Sequence, residues 1–387
     1  IGNAAGAASA ARGFTMASLT VISGVGGKLP AAFLVEMEGY RLLWDLGAGP
    51  QPGVRPDIRA IGRVDALCLT HSHIDHAASL DCWAQIGSPP VYATEQTWLQ
   101  LANVAVPMYA RRLLPLRGQT PIGPLNLFTG RSGHSPGSVW FHLPIAGGIT
   151  YMGDWSREAL LLPFDCPPQA KLLITDASYG DRTQRLCDQM DALAIAATHG
   201  AVIAVPEHGR GPEVALQLTA RGLAVQLCPQ IRSEVAQLLA MDKLPATTAL
   251  GLVRLLKQPQ PEQWLPSDVI VAADAVADSG LAAQLSEQPG FKLIFSSHVA
   301  PGTCAASLLA DQQARWLPWN VHPPIDDQLW LIEKTAAQRV IPAFVAAAEC
   351  PILATRAPLC WQAHLPLQCH LDSPRFPHEQ RQRSRIY

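Results

Sequence analysis

The chain has 387 residues, is 16% charged and 48% hydrophobic, and carries a formal net charge of −2. That length suffices for two domains with separate cores. No uninterrupted apolar run reaches the ~20 residues that a membrane-spanning helix needs, and the near-neutral charge argues against a strongly basic nucleic-acid surface.

Residues 2–12 are rich in alanine and glycine and lack both a positively charged start and a dense apolar centre, so they do not read as a secretory signal. Met16 is a candidate natural start. The pattern then predicts short strands at residues 19–23 and 31–37 around a glycine-rich turn, and a third at Tyr40–Trp44. That third strand ends in Asp45, just before a Gly-x-Gly turn. Asp45 has no histidine beside it and reads as a carboxylate that orients a ligand imidazole.

The mostly apolar run 64–69 reads as a buried strand ending in Thr70-His71-Ser72-His73-Ile74-Asp75-His76. Imidazole and carboxylate are the ligands that borderline divalent metals such as zinc prefer. Where a strand stops and the chain turns, alternate side chains can converge on one point. A histidine-rich loop without metal is the plainer alternative, but lone histidines are common and this spacing around an aspartate is not. The segment reads as a metal site. Beyond it the pattern predicts a helix over 76–86, a strand over 89–93 and a helix over 95–101. Arg111, Arg112 and Arg117 cluster in one segment, which more often marks a solvated face than a binding site.

Gly133-His134-Ser135-Pro136-Gly137-Ser138 places a histidine in a glycine-rich turn before the strand Val139–Leu143. Glycines there allow the backbone to approach a metal closely. Ile149-Thr150-Tyr151-Met152-Gly153-Asp154 is an apolar strand ending in a carboxylate suited to bridging two metals. Between about residues 185 and 291, predicted helices (188–197, 213–221) alternate with strands (Ala201–Val205, 224–227), as in an α/β domain with a parallel sheet. Strands at Val269–Ala273 and 292–295 close that region, and a helix over 326–337 resumes the first domain. His142, His199, His208, His364, His370 and His378 stand alone and read as solvated or core histidines. Nine scattered cysteines without Cys-x-x-Cys read as reduced thiols of a cytoplasmic protein.

These motifs resemble the metallo-β-lactamase superfamily, over about residues 18–345. The resemblance implies an α/β fold, an αββα sandwich with metals at one edge. By this likeness His71, His73 and His134 hold a first metal, Asp75 and His76 a second, and Asp154 bridges them. The cofactor implied is zinc, two ions, with manganese as the alternative. Further segments are similar, in the same order, to the β-CASP nuclease branch. Gly153-Asp154-Trp155-Ser156-Arg157 looks like its Gly-Asp-Phe-Ser-Arg, and Asp176-Ala177-Ser178-Tyr179-Gly180 like its Glu-Ser-Thr-Tyr-Gly. Gly209-Arg210-Gly211-Pro212-Glu213 resembles Gly-Arg-x-x-Glu. Ser296-Ser297-His298 and Gly302-Thr303 resemble Ser-Gly-Tyr…Gly-Thr, and Asn320-Val321-His322-Pro323-Pro324-Ile325-Asp326 resembles Ser-Ala-His-Ala-Asp. One departure stands out: Phe344 falls where the family's last metal-2 histidine is expected.

The likeness implies a sandwich from residues 16–184 and 292–350, an inserted β-CASP-like parallel α/β domain at 185–291, and a C-terminal extension, 351–387, with a loose end. It implies hydrolysis of RNA or single-stranded DNA by metal-activated hydroxide. Asp75 or Asp154 would orient that hydroxide, and His322, paired with Asp176, would protonate the leaving oxygen. Ser297, His298, Gly302, Thr303 and Arg210 would contact substrate. The expected partner is nucleic acid, with no membrane and with self-association left open. A thioesterase or lactonase of the same superfamily, or a binding-only relative lacking metal 2, are the alternatives. Fold does not choose among them.

Overall fold

The computed structural model describes residues 14–49, 51, 53–101, 103–241, 244–296 and 298–370. Three sheets organise them. The first has seven strands, in the order His364–His370, Phe14–Ser23, Ala32–Met37, Tyr40–Trp44, Ala66–Cys68, Val91–Ala93 and Arg111–Leu113. Pairing is antiparallel up to Tyr40–Trp44 and parallel beyond it. The second has six strands, in the order Arg339–Ala343, Leu172–Asp176, Ile149–Tyr151, Val139–Leu143, Leu125–Arg131 and Gly118–Ile122.

These two sheets face each other because their strands are apolar on alternate sides. Phe33, Val35, Leu42 and Trp44 of the first pack against Phe141, Tyr151, Ile174 and Ile341 of the second. Trp44 and Tyr151 stack with ring centroids 5.7 Å apart. The intervening residues Leu34 and Leu43 turn the other way, into a layer with Leu80, Trp83, Ile86 and Trp98. On the far side, Leu173 and Val340 meet Leu331, Ile332 and Leu353 of the helices Ile325–Thr335 and Pro351–Arg356. The result is a helix–sheet–sheet–helix sandwich. Strands buried on both faces lack polar alternation and read as continuous apolar runs.

The third sheet has five strands, all parallel, in the order Val225–Leu227, Val269–Ala273, Ala201–Val205, Leu293–Phe295 and Ala314–Trp316. With its helices it encloses a core of its own. The fold is therefore α/β: the sandwich plus a further parallel α/β unit.

Several expected boundaries move. The strand Leu293–Phe295 pairs with Ala201–Val205, and Ala314–Trp316 follows it, so the parallel sheet runs past residue 291. Residues 351–370 are no extension. The helix Pro351–Arg356 buries Leu353, and His364–His370 forms an edge strand with Leu365 and Leu367 buried. Residues 371–387, which carry Arg375, Arg381, Arg383 and Arg385, lie outside the described residues. The first strand is Phe14–Ser23 and begins before Met16. The expected helix over 76–86 divides into Ile74–Ala77 and the tighter turns of Leu80–Ile86. At the break, the Ser79 hydroxyl donates to the Gly47 carbonyl at 2.6 Å and its amide to that of Leu46 at 3.0 Å, which pulls the chain out of helical register.

His142 sits in the second sheet, buried, with Nδ1 2.8 Å from the Thr150 hydroxyl. Burial lowers its pKa to about 4. The unfolded chain takes up this proton near pH 6.5 and the folded one does not, so the stability it confers is complete above pH 6.5 and drains away as pH falls toward 4. The stability advantage of the wild type over His142→Gln is expected to shrink by roughly 3 kcal/mol between pH 7 and pH 4. Urea unfolding of both proteins across that range reads it directly, and a pH-independent difference would contradict the burial argument.

Candidate metal centre

The site forms where loops leave the ends of both sandwich sheets. Ala66–Cys68 ends just before Thr70 and His71, Ile149–Tyr151 before Asp154, and Leu172–Asp176 at Asp176. The approach is close enough to require glycine. A Cβ on Gly153, whose φ is +55°, would meet the Thr70 side chain at 2.8 Å, and one on Gly47 would meet the Asp75 carbonyl at 1.8 Å.

Asp45 organises the histidines from beneath. Its Oδ1 accepts the Thr70 amide at 2.7 Å, and its Oδ2 accepts the Thr70 hydroxyl at 2.7 Å, the Tyr151 hydroxyl at 2.7 Å and His76 Nδ1 at 2.8 Å. Burial and the Asp45 charge raise the Tyr151 phenol well above its ordinary pKa, so it remains a donor. Because Thr70 gives its proton to Asp45, it accepts from His71 Nδ1 at 3.1 Å, which leaves His71 Nε2 a bare lone pair. His134 Nδ1 donates to the Val321 carbonyl at 2.8 Å, and its Nε2 faces His73 Nδ1 at 3.0 Å. Hydrogen bonds thus fix which nitrogen of His71, His76 and His134 points inward.

Among the described residues, His71, His73, His134 and Asp154 bring donor atoms within 4.8 Å of one another, as do Asp75, His76 and Asp154, and Asp154, Asp176 and His322. Asp154 belongs to all three groups. Its Oδ2 lies 3.4 Å from His134 Nε2 and 3.7 Å from both His71 Nε2 and His322 Nδ1, while Oδ1 lies 3.1 Å from His76 Nε2. Burial pushes the His71 and His134 pKa values well down and that of His73 to about 4, so these rings are neutral. His76 goes the other way: burial would lower its pKa, but Asp154, Asp45 and Asp75 outweigh it. For Asp154, burial is outweighed by His76, His322 and His134, and its carboxylate stays ionised.

His322 Nδ1 lies 2.6 Å from Asp176 Oδ2, and its ring meets Tyr179 edge-on at 5.0 Å. The loop that presents it is held by Asn320, which is fully buried. The Asn320 amide donates to Glu158 Oε2 at 3.0 Å and to the Gln184 carbonyl at 2.7 Å, while its carbonyl oxygen accepts from Gln189 at 2.9 Å.

The expected substrate contacts are placed unevenly. His298 is exposed on a large cleft that also borders His73, His134, Asp154 and His322. Thr303 borders it too, but its hydroxyl is engaged, accepting the Ala306 amide at 3.2 Å and donating to the Ala300 carbonyl at 2.8 Å as the cap of a short helix. Gly302 precedes it at φ +86° in an exposed turn. Ser297 lies outside the described residues. Arg210 is 3% exposed, and its guanidinium donates to the Gly133 and His134 carbonyls at 3.1 and 3.4 Å. The guanidinium thus braces the His134 loop, and Arg210 also lines the cleft. The Arg111 side chain is likewise occupied, bonded to the Val106 carbonyl and set over Trp98.

Two residues escaped the motif reading. Lys28 Nζ lies 3.5 Å from Asp75 Oδ2 and 3.3 Å from the Ser178 hydroxyl. Burial would lower its pKa, but Asp75, Asp154 and Asp176 outweigh it, so the ammonium persists. Arg182 stacks over Tyr179 at 3.8 Å beside the same cleft. The only hint in sequence was a scarce lysine after Gly26-Gly27.

Residues 25–193 match the family model for the metallo-β-lactamase superfamily. That match takes in a little under half of the chain. It is similar to Ribonuclease TTHA0252 of Thermus thermophilus, 35% identical over 32% of this chain and 33% of that protein. Transcription termination factor FttA of Cenarchaeum symbiosum is 27% identical over 51% of this chain and 38% of its own length. Ribonuclease Z of Methanopyrus kandleri is 41% identical over 15% of this chain and 23% of its length. The chain thus spans well under half of each of these relatives. In fold, a protein of unknown function from Enterococcus faecalis superposes with a TM-score of 0.57 at 14% identity, covering 91% of this chain and 100% of that one. The likeness to that superfamily points to metal ions, and the His/Asp clusters can hold them. Among the described residues, no helix is long and apolar enough to cross a membrane.

Proposed function

We propose that this chain is a metal-dependent phosphodiesterase of the β-CASP type, cleaving RNA or single-stranded DNA. The observation that carries this reading is the shared location of the His71–His73–His134–Asp154 donors and the His322–Asp176 pair. Through His73, His134, Asp154 and His322 they border one cleft of roughly 1210 Å³, lined by residues of the sandwich and of the parallel α/β unit. Small-molecule sites usually measure about 300–1,000 Å³, so this cleft suits a chain of nucleotides better than a lactone or thioester. The names of the relatives add support.

The residues fit a divalent metal. His71 Nε2 is buried without a hydrogen-bond partner, a costly arrangement that a metal would relieve. His71, His73, His134 and Asp154 would hold it; nitrogen and carboxylate donors favour zinc, with manganese as the alternative. When bound, such an ion supplies Lewis acidity toward a phosphoryl oxygen and toward water. Asp75 and Asp154 accept hydrogen bonds from the attacking water and orient it. Asp176 accepts the Nδ1 proton of His322 and steadies the doubly protonated ring, whose Nε2–H passes to the departing oxygen and leaves the ring neutral. His298, Thr303 and Arg182 line the path of the substrate. The described cysteines form no disulfide, which supports a reducing, cytoplasmic setting.

Turnover of a fluorogenic single-stranded oligoribonucleotide, its deoxy counterpart, a lactone and a thioester decides the substrate class. An oligonucleotide is expected to give the higher kcat/KM by at least about tenfold, or roughly 1.4 kcal/mol in barrier. Faster turnover of the lactone or thioester would sink the nuclease reading.

A further inference from the structure

We propose that the Lys28 ammonium stands in place of a second metal, so that the site takes one divalent cation and one lysine. The inference rests on the metal-dependent reading above. Its ground is the contrast between two donor groups that share Asp154. In the first, His71 Nε2 is buried and has no hydrogen-bond partner. In the second, the inward atoms are already engaged: Asp75 by Lys28 at 3.5 Å, and His76 Nε2 by Asp154 Oδ1 at 3.1 Å.

Phe344 closes that second position. It is 2% exposed, just beyond the strand Arg339–Ala343, and its ring meets His76 edge-on at 5.2 Å. Phenylalanine offers no donor atom. Lys28 Nζ lies 5.5 Å from the centre of that ring, so the ring shapes the lysine's place as well as filling the ligand's. The two are held together by backbone, because the Phe344 amide donates to the Gly24 carbonyl at 2.8 Å within the turn that carries Lys28. A second divalent ion beside Asp75 would face this ammonium across a few ångströms of partly buried space, where like charges repel strongly. Lys28 borders the cleft, and with Asp75 and Ser178 engaging two of its three N–H donors the third is left for an anionic oxygen of the substrate.

Metal content per chain, measured after incubation with excess zinc or manganese and removal of loose ions, tests this without any substrate. The wild type and Phe344→His are expected to hold about one equivalent, and Phe344→His/Lys28→Met about two. Histidine suits the Phe344 backbone, whose φ of +64° disfavours bulky side chains more than it does histidine. Two equivalents in the wild type would overturn the inference and leave the metal-dependent reading standing, whereas none in the wild type would remove that reading itself. A second equivalent in Phe344→His alone would show that Lys28 does not exclude it, and one equivalent in the folded double variant would be equally fatal. Should the double variant not fold, electron paramagnetic resonance of the manganese-loaded wild type decides. An isolated six-line signal is expected, and a spin-coupled pair would refute the proposal.

Discussion

Changing His71 and His73 together to alanine is expected to abolish stoichiometric metal binding and to lower hydrolysis by at least about 10³-fold, several kcal/mol of barrier. Both rings are neutral because burial depresses their pKa values; His71 turns Nε2 toward Asp154 and His73 turns Nδ1 toward His134. Truncation removes two of four clustered donors and leaves His134 and Asp154 too few to hold an ion. Elemental analysis and a single-turnover assay on the same preparation measure both effects. Unchanged activity with metal absent would exclude metal-dependent hydrolysis. A wild type that binds oligonucleotide without cleaving it, in the presence of bound metal, would favour the binding-only reading.

Asp45→Ala should be the most destabilising change near the site. It strands four buried donors, the Thr70 amide, the Thr70 hydroxyl, His76 Nδ1 and the Tyr151 hydroxyl. Each costs about 1–3 kcal/mol when left without an acceptor, and since such losses are not additive the total is on the order of 5 kcal/mol. Alanine also tolerates the φ of +58° at this position less well than aspartate. Asp45→Asn keeps one carbonyl acceptor and should lose less stability. It removes the charge that aligns His76, and by way of Thr70 His71, so metal affinity should still drop about 10- to 100-fold. Guanidinium unfolding should rank wild type, Asn and Ala in that order. An Asp45→Ala protein as stable as wild type would mean that these four donors find other partners.

Much of the centre was legible because ligands bunch where strands end. Thr70 to His76 is one continuous stretch, and Gly153-Asp154 announces its own turn. Legibility failed where a side chain's use depends on what folds against it. Arg210 was read only as a substrate contact, and no motif announced that its guanidinium also holds the Gly133–His134 loop. The Thr303 hydroxyl suggested a phosphate contact and instead caps its own helix. Lys28 carries no motif, and only the fold brings it to Asp75. The strands Ala32–Met37 and Tyr40–Trp44 were visible from apolar runs, whereas Arg111–Leu113 and Gly118–Ile122 were not, since exposed edge strands need little hydrophobic pattern. The end of the parallel sheet was misjudged because Ala314–Trp316 is short and mostly exposed.

The pairing of Phe14–Ser23 with His364–His370 joins segments about 350 positions apart. During synthesis the parallel α/β unit is complete long before the sandwich can close, since its strands all fall between Ala201 and Trp316. It is therefore free to fold first, while the early sandwich strands wait for partners that emerge last. A chain cut short near residue 360 would leave Phe14–Ser23 without its outer neighbour, an unpaired edge inviting strand addition from another copy. Premature termination should therefore yield aggregates rather than a smaller folded protein.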